Sequence, residues 1–270
     1  MAILNYLGFS GPAREPVAED KSPVRALPAS WYTSEEMYQL ERRAVFSKKW
    51  MLITQKTRFQ KSGDWIKFEV AGYEFILSQK GDTIHGFHNV CRHRAYPVVG
   101  GQKGTARIFS CRYHGWSYGL DGKLAKAPKY DEYPDFDKSQ NGMFKIHVKV
   151  DNAGFIWVNL DSAETPEPWE KEFAGIDMQE RYGVYKFDDY YLDHEYTSTG
   201  AFNWKILADN FNECYHCPTS HPTIGTLADI TTHDVQKNKA SILHQSDSGE
   251  GSDMAISSTY YYPNVSTSVL

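Results

Sequence analysis

Two short loops, each offering one cysteine and one histidine, constrain this chain more than any other feature. The first is Cys91-Arg92-His93; seventeen residues later comes Cys111-Arg112-Tyr113-His114. Turn formers surround both, with Gly100, Gly101 and Gly104 between them and Gly115, Gly119 and Asp121-Gly122 after them. On either side the pattern is one of short alternating runs rich in β-branched and aromatic residues. Trp65–Val70, Tyr73–Gln79 and Thr83–Val90 precede the second loop. Phe144–Val150 and Gly154–Leu160 come after it, this pair turning at Asp151-Asn152-Ala153-Gly154. With Trp50–Thr54, these runs predict a small antiparallel β domain over about residues 50–160 that carries both loops at its tip.

Four uses of these four side chains compete. Structural zinc accepts Cys2His2, but its cysteines ordinarily come as one close pair and its histidines as another. A Cys91–Cys111 disulfide leaves His93 and His114 without a role. Unliganded core residues would require four coincidences. A 2Fe-2S cluster of the Rieske kind places two cysteines on one iron and two histidines on the other, and so uses all four.

A second constellation lies further on, at Asp209-Asn210-Phe211-Asn212-Glu213-Cys214-Tyr215-His216-Cys217-Pro218-Thr219-Ser220-His221. Read as a helix from Asn203 to Tyr215 and on to His216, it puts Asp209, Glu213 and His216 on one face. Phe202, Trp204, Ile206 and Leu207 look apolar enough to bury that helix, and Pro218 to stop it. Two buried carboxylates and an imidazole need partners. Two histidines plus a carboxylate are the donors of a non-haem iron(II) site with open positions; a satisfied polar network around core histidines is the plainer alternative. Cys214 and Cys217 are spaced C-x-x-C, which admits a redox or zinc pair, but simple burial is the preferred reading.

The remaining chain bounds the function class. A length of 270 residues, 41% hydrophobic and 23% charged, is that of a globular protein of one large or two ordinary domains. Net charge −5 and the lack of a basic block argue against nucleic-acid binding, and no apolar run is long enough to span a membrane. Four cysteines in this length fit a reduced compartment, with a cytoplasmic location expected and organellar import left open. Residues 1–30 are Pro-rich without the pattern of a secretory signal, and Glu15, Glu19 and Asp20 count against a transit peptide. Thr33 and Glu36 read as the capping box of a helix over Ser34–Ser47. Thr165–Trp169 reads as a linker, and Tyr190–Tyr196, Ser257–Tyr262 and Asn264–Leu270 as strands.

Cys91-x-His93 with Cys111-x2-His114-Gly115-Trp116-Ser117-Tyr118 resembles the Rieske domain of Rieske-type non-haem iron oxygenases. The stretch from Asp209 to His221 resembles the iron motif of the same family's catalytic domain, and the resemblance runs from about Trp31 to the chain end. It implies an α+β protein with an N-terminal segment and helix (1–48), a Rieske 2Fe-2S domain (49–162), and a helix-grip-like catalytic domain with an antiparallel sheet (170–270). It also implies roles: Cys91, His93, Cys111 and His114 for the cluster, and His216 and His221 for a mononuclear Fe(II). Glu213, with Asp209 and Asn210 in the same motif, would be catalytic. Glu213 would bridge His114 of one subunit to an iron histidine of the next, within a homotrimer or a multiple of it. Electrons would come from NAD(P)H through a separate reductase or ferredoxin, and O2 would be the co-substrate.

Many ring-hydroxylating members carry Asp where Glu213 stands. The context Asn-Glu-Cys-Tyr-His-Cys, and Leu27-Pro28-Ala29-Ser30-Trp31-Tyr32 near the start, resemble the branch acting on quaternary ammonium compounds. Choline, hydroxylated to betaine aldehyde, is the expected substrate, and the 14% aromatic content offers material for a cation–π cage. An aromatic ring-hydroxylating oxygenase and an electron-transfer-only Rieske protein are the alternatives. The family's third iron ligand is an Asp far beyond the second histidine, whereas this chain ends forty-nine residues after His221. Asp229, Asp234, Asp247 and Asp253 are available but out of place, so a shortened catalytic domain is expected.

Overall fold

The computed structural model describes residues 26–249 and 256–269. The reading of the N-terminal segment up to residue 25, and Asp253, lie outside the described residues. Among the described residues, no helix is long and apolar enough to cross a membrane.

A turn of helix, α1 (Ser30–Thr33), leads into α2 (Glu35–Glu41), which continues as a π-helical turn to Phe46. The cap differs from expectation. Thr33 ends α1 and bonds back to Ala29 O, so Ser34 is the residue whose hydroxyl accepts Met37 N–H, at 3.1 Å.

Three antiparallel sheets come next. Strand β1 (Met51–Gln55) pairs with β10 (Phe155–Asn159), and β10 with β9 (His147–Val150). A second sheet runs in the order β4–β3–β2–β5, from β2 (Asp64–Val70), β3 (Tyr73–Lys80), β4 (Thr83–His88) and β5 (Lys103–Thr105). Short strands β6 (Phe109–Ser110), β7 (Ser117–Tyr118) and β8 (Leu124–Lys126) form the third, with the β7–β8 turn at Asp121-Gly122 as expected. The alternating runs do form strands, each burying at least one face.

Strand β10 is buried on both faces. Ile156 and Val158 join Met51, Ile66, Phe75 and Leu77 in one core. Phe155 and Trp157 face the other way, into a core with Trp50, Trp169, Phe173, Ala240 and Tyr261. That second core joins the β domain to Trp169, Phe173, Ile176 and Tyr182 and to the chain around Ala240 and Tyr261. The proposed linker belongs to it: Trp169 is buried, and Trp50 Nε1–H donates to Glu167 O at 2.7 Å.

Beyond α3 (Glu170–Phe173), Tyr190–Tyr196 forms no strand, contrary to expectation. Helix α4 (Trp204–Asn212) and the short α5 (Cys217–Ser220) come next, then a sheet in the order β11–β12–β13–β14. Strands β13 (Ser257–Tyr261) and β14 (Val265–Val269) were legible in the pattern. Strands β11 (Ala228–Lys237) and β12 (Ser241–Ser248) were not: much of β11 exposes polar side chains on both faces, and the apolar residues of β12, Ile242 and Leu243, are adjacent rather than alternating.

Candidate metal centres

The first Cys/His loop leaves β4 through Asn89, a fully buried amide that ties the loop's two ends together. Its Oδ1 accepts from Val98 and Val99 N–H at 2.9 and 3.0 Å, and its Nδ2 donates to Val99 O and the Glu74 carboxylate. The two loops then repeat one geometry. Cys91 N–H donates to Tyr96 O (2.9 Å) and Ala95 N–H to Cys91 O (2.9 Å). Cys111 N–H donates to Trp116 O (2.8 Å) and Gly115 N–H to Cys111 O (3.0 Å). Each turn needs a left-handed residue at the same place: Gly115 at φ 75°, and Ala95 at φ 54°. Glycine takes that conformation freely, whereas alanine gives up roughly 1–2 kcal/mol.

Both thiols are free and buried, so the disulfide reading fails. Burial pushes the Cys91 thiol up. Tyr118 Oη lies 3.2 Å from Cys91 Sγ and accepts from Arg92 N–H at 3.0 Å, which leaves its own hydrogen for the sulfur. The rings of His93 and His114 stand edge to face, centroids 4.5 Å apart, and His93 stacks on buried Trp116. His93 is held below the ordinary imidazole value by desolvation first, then by His114 and Arg94, which favours the neutral form a metal requires. Its Nδ1 is buried without a partner, a costly arrangement that a metal bond would relieve. No three His, Cys, Asp or Glu side chains among the described residues converge as a single-ion site would need. Two cysteines and two histidines are the donor set of a binuclear cluster with two ligands on each iron.

The second constellation is built differently from the helical expectation. Helix α4 ends at Asn212, and Glu213 is already extended (φ −122°, ψ 136°), so Asp209, Glu213 and His216 do not share one helical face. Nor is the face buried: Phe202, Ile206 and Leu207 are exposed, and so are Asp209, Asn210 and Glu213. Pro218 opens α5 rather than stopping α4. The turn nevertheless brings the key groups together. Glu213 Oε1 lies 2.7 Å from His216 Nδ1, and its Oε2 accepts Tyr215 N–H at 3.1 Å. The rings of His216 and His221 stand 5.3 Å apart and nearly perpendicular, so each can turn a nitrogen toward a common ion. Asp209 accepts a hydrogen bond from Tyr32 OH at 2.8 Å. Cys214 and Cys217, expected simply to pack, are joined as a disulfide: with the helix ended, they face each other across a tight turn, Cα atoms 5.2 Å apart. Asp229 bonds to Thr231, and among the described residues no carboxylate joins His216 and His221 as a third ligand.

Residues 49–137 match the family described as Rieske [2Fe-2S] domain, and residues 187–268 match the ring hydroxylating alpha subunit catalytic domain. The chain belongs to the Rieske-type oxygenase alpha subunits. Similarity to the carnitine monooxygenase oxygenase subunit of Acinetobacter baumannii is 31% identity over 212 residues, covering 76% of this chain and 56% of that protein. To the chloroplastic choline monooxygenase of Spinacia oleracea it is 32% over 213 residues, 77% of this chain and 48% of that one. The structure of the quaternary ammonium Rieske monooxygenase CntA with L-carnitine superposes with a TM-score of 0.79 at 26% identity, over 90% of this chain and 66% of that one. The chain spans about half the length of the curated relatives it matches.

In this Rieske-type chain, several parts of the first centre had no signal in sequence. Asn89 and the left-handed Ala95 act through contacts that spacing does not reveal, and Tyr118, although part of the quoted motif, gave no sign there of its bond to Cys91. Only the parallel positions of Ala95 and Gly115, each four residues after a cysteine, could have pointed to the repeated turn.

Proposed function

We propose that this chain is the cluster-bearing and iron-binding part of an oxygenase for quaternary ammonium compounds. The observation that carries the reading is the repeated loop pair, which leaves two free buried thiols and an unpartnered imidazole nitrogen facing one tip of the β domain. Cys91 and Cys111 would hold one iron and His93 and His114 the other, while His216 and His221 would hold the mononuclear iron. When bound, these groups relay single electrons and activate dioxygen for hydroxylation.

The protein's own work is to hold and orient. Glu213 accepts from His216 Nδ1–H, which fixes the tautomer and leaves Nε2 free as a metal ligand. Its remaining lone pairs can face a second imidazole, His114 of a neighbouring copy in a trimer. Asp209 and Asn210 belong to the same motif and are exposed on α4. Electrons would be delivered by a reductase or ferredoxin. The proposed division of labour is 49–162 for the cluster and 170–270 for the iron.

The substrate class rests on the relatives. Those named for carnitine, glycine betaine and choline are equally similar, at 31%, 32% and 32% identity, so choline stands beside the other two rather than ahead of them. The test has two parts. Protein purified without oxygen should contain acid-labile sulfide and iron, with iron in excess of the sulfide when the mononuclear site fills; zinc without sulfide would end the oxygenase reading. Reductase-linked O2 uptake should then rise with one of the three quaternary ammonium compounds. Stimulation by aromatic acids alone would overturn the substrate class.

A further inference from the structure

Helix α4 ends where its sequence offers nothing to end it. No glycine or proline stands at positions 213–215, and Pro218 comes too late. Across space from this end lies a row of polar side chains that the roles above leave unused. Asn212 Nδ2–H donates to Ala208 O at 2.8 Å, closing the helix's last turn and fixing the amide's orientation. Its Oδ1 can only accept, and it lies 3.0 Å from Nε2 of His244 on β12, so the imidazole carries its proton there. His244 Nδ1 is then an acceptor and faces His233 Nε2 on β11 at 3.4 Å. His233 Nδ1 in turn faces Ser246 Oγ at 3.1 Å. Every hydrogen runs one way: Ser246 to His233 to His244 to Asn212.

His244 is only 7% exposed, packed edge-on against Phe211 of α4, with its carbonyl accepting from Arg181. Burial first, then His233 and Arg181, hold its imidazole in the neutral form that this pattern requires. A buried, singly oriented donor of this kind locks the group it serves.

We propose that His244 is a positioning residue for the second metal centre: by holding Asn212 it ends α4 there and delivers Glu213, extended, to His216. The inference rests on the reading of His216 as a ligand only for its purpose; the contacts themselves do not depend on any metal. The chain of cause is short. Without the bond to His244, Asn212 loses its anchor to the sheet, the helix is free to add Glu213 and Cys214, and the carboxylate turns away from His216.

The experiment uses the full chain with its cluster oxidised, labelled with nitrogen-15 in histidine alone, and reads the ring nitrogens of His216. Wild type should show His216 locked with its proton on Nδ1. His244→Leu should give the averaged tautomers that Glu213→Gln also gives, whereas His244→Gln, whose amide can still donate to Asn212, should keep the wild-type signature. Asn212→Ala should repeat the His244→Leu result from the other end of the bond, and it stands in should His244→Leu fail to keep its cluster absorption. A wild-type His216 without the lock, or a His244→Leu variant that retains it, would overturn the proposal. Iron content is measured separately on the same samples, so that failure of the oxygenase reading is distinguished from failure of this one.

Discussion

The Glu41 carboxylate lies 2.5 Å from the Lys205 ammonium, and both side chains are more than nine-tenths buried although 164 positions separate them. Trp204 Nε1–H donates to the other oxygen of Glu41, and Asn203 Oδ1 accepts a second bond from Lys205. The N-terminal helix is thereby bolted to the first turn of the helix that carries the iron motif.

Removing one partner of that pair strands a buried charge. Lys205→Met should lower the unfolding free energy by about 3–5 kcal/mol, and Glu41→Leu added to it should restore most of the loss. Denaturant titration of the two variants measures both. A single variant as stable as wild type would mean that the pair is solvated in solution.

Tyr118 offers its hydroxyl hydrogen to Cys91 Sγ. Such a bond favours the more negative, reduced state of whatever the sulfur ligates. Tyr118→Phe should therefore lower the midpoint potential of the cluster, by about 40 mV if the bond is worth about 1 kcal/mol. Voltammetry of the two proteins decides it. An unchanged potential would show that the hydroxyl points elsewhere.

Imidazoles at His88 and His244 are held below their ordinary value, in both cases first by burial. Below about pH 6.5 the unfolded chain therefore binds protons that the folded chain refuses, and stability falls as pH drops through that window. Above it the contribution is complete. Melting temperatures between about pH 8 and 5 should be flat at first and then decline, with a shallower decline in His244→Gln. Carboxylates held down by ion pairs, such as Glu74 beside Lys67, lose their contribution only at still lower pH.

Trp157 is fully buried, with its Nε1–H on Asp151 and its ring against Trp169, Phe173 and Tyr261. Trp157→Ala should cost about 3–5 kcal/mol, observable by chemical denaturation. A much smaller loss would mean that the surrounding rings collapse into the space.

Legibility in sequence tracked the reach of the forces involved. The strands of the β domain could be read because burial on one face leaves a period of two, and the four loop donors because turn residues frame them. The end of α4 could not be read, since no glycine or proline marks it and the side chain that holds Asn212, His244, lies thirty-two residues on. The shift of the cap from Thr33 to Ser34 came from a preceding turn that occupies Thr33. Strand β11 was hidden because Asp, Thr, Gln and Lys line much of both faces, and β12 because its only apolar residues, Ile242 and Leu243, stand side by side.

Strand β10 has a consequence for how this protein can change. Its even positions, Ile156 and Val158, answer to the interior of the β domain, and its odd positions, Phe155 and Trp157, to the core shared with Phe173 and Tyr261. A shift of that strand by one residue would exchange the two sets and spoil both interiors at once. The two halves are thus one party wall apart: volume may be traded between residues on the same side of it, but no drift in register on one side can go unfelt on the other.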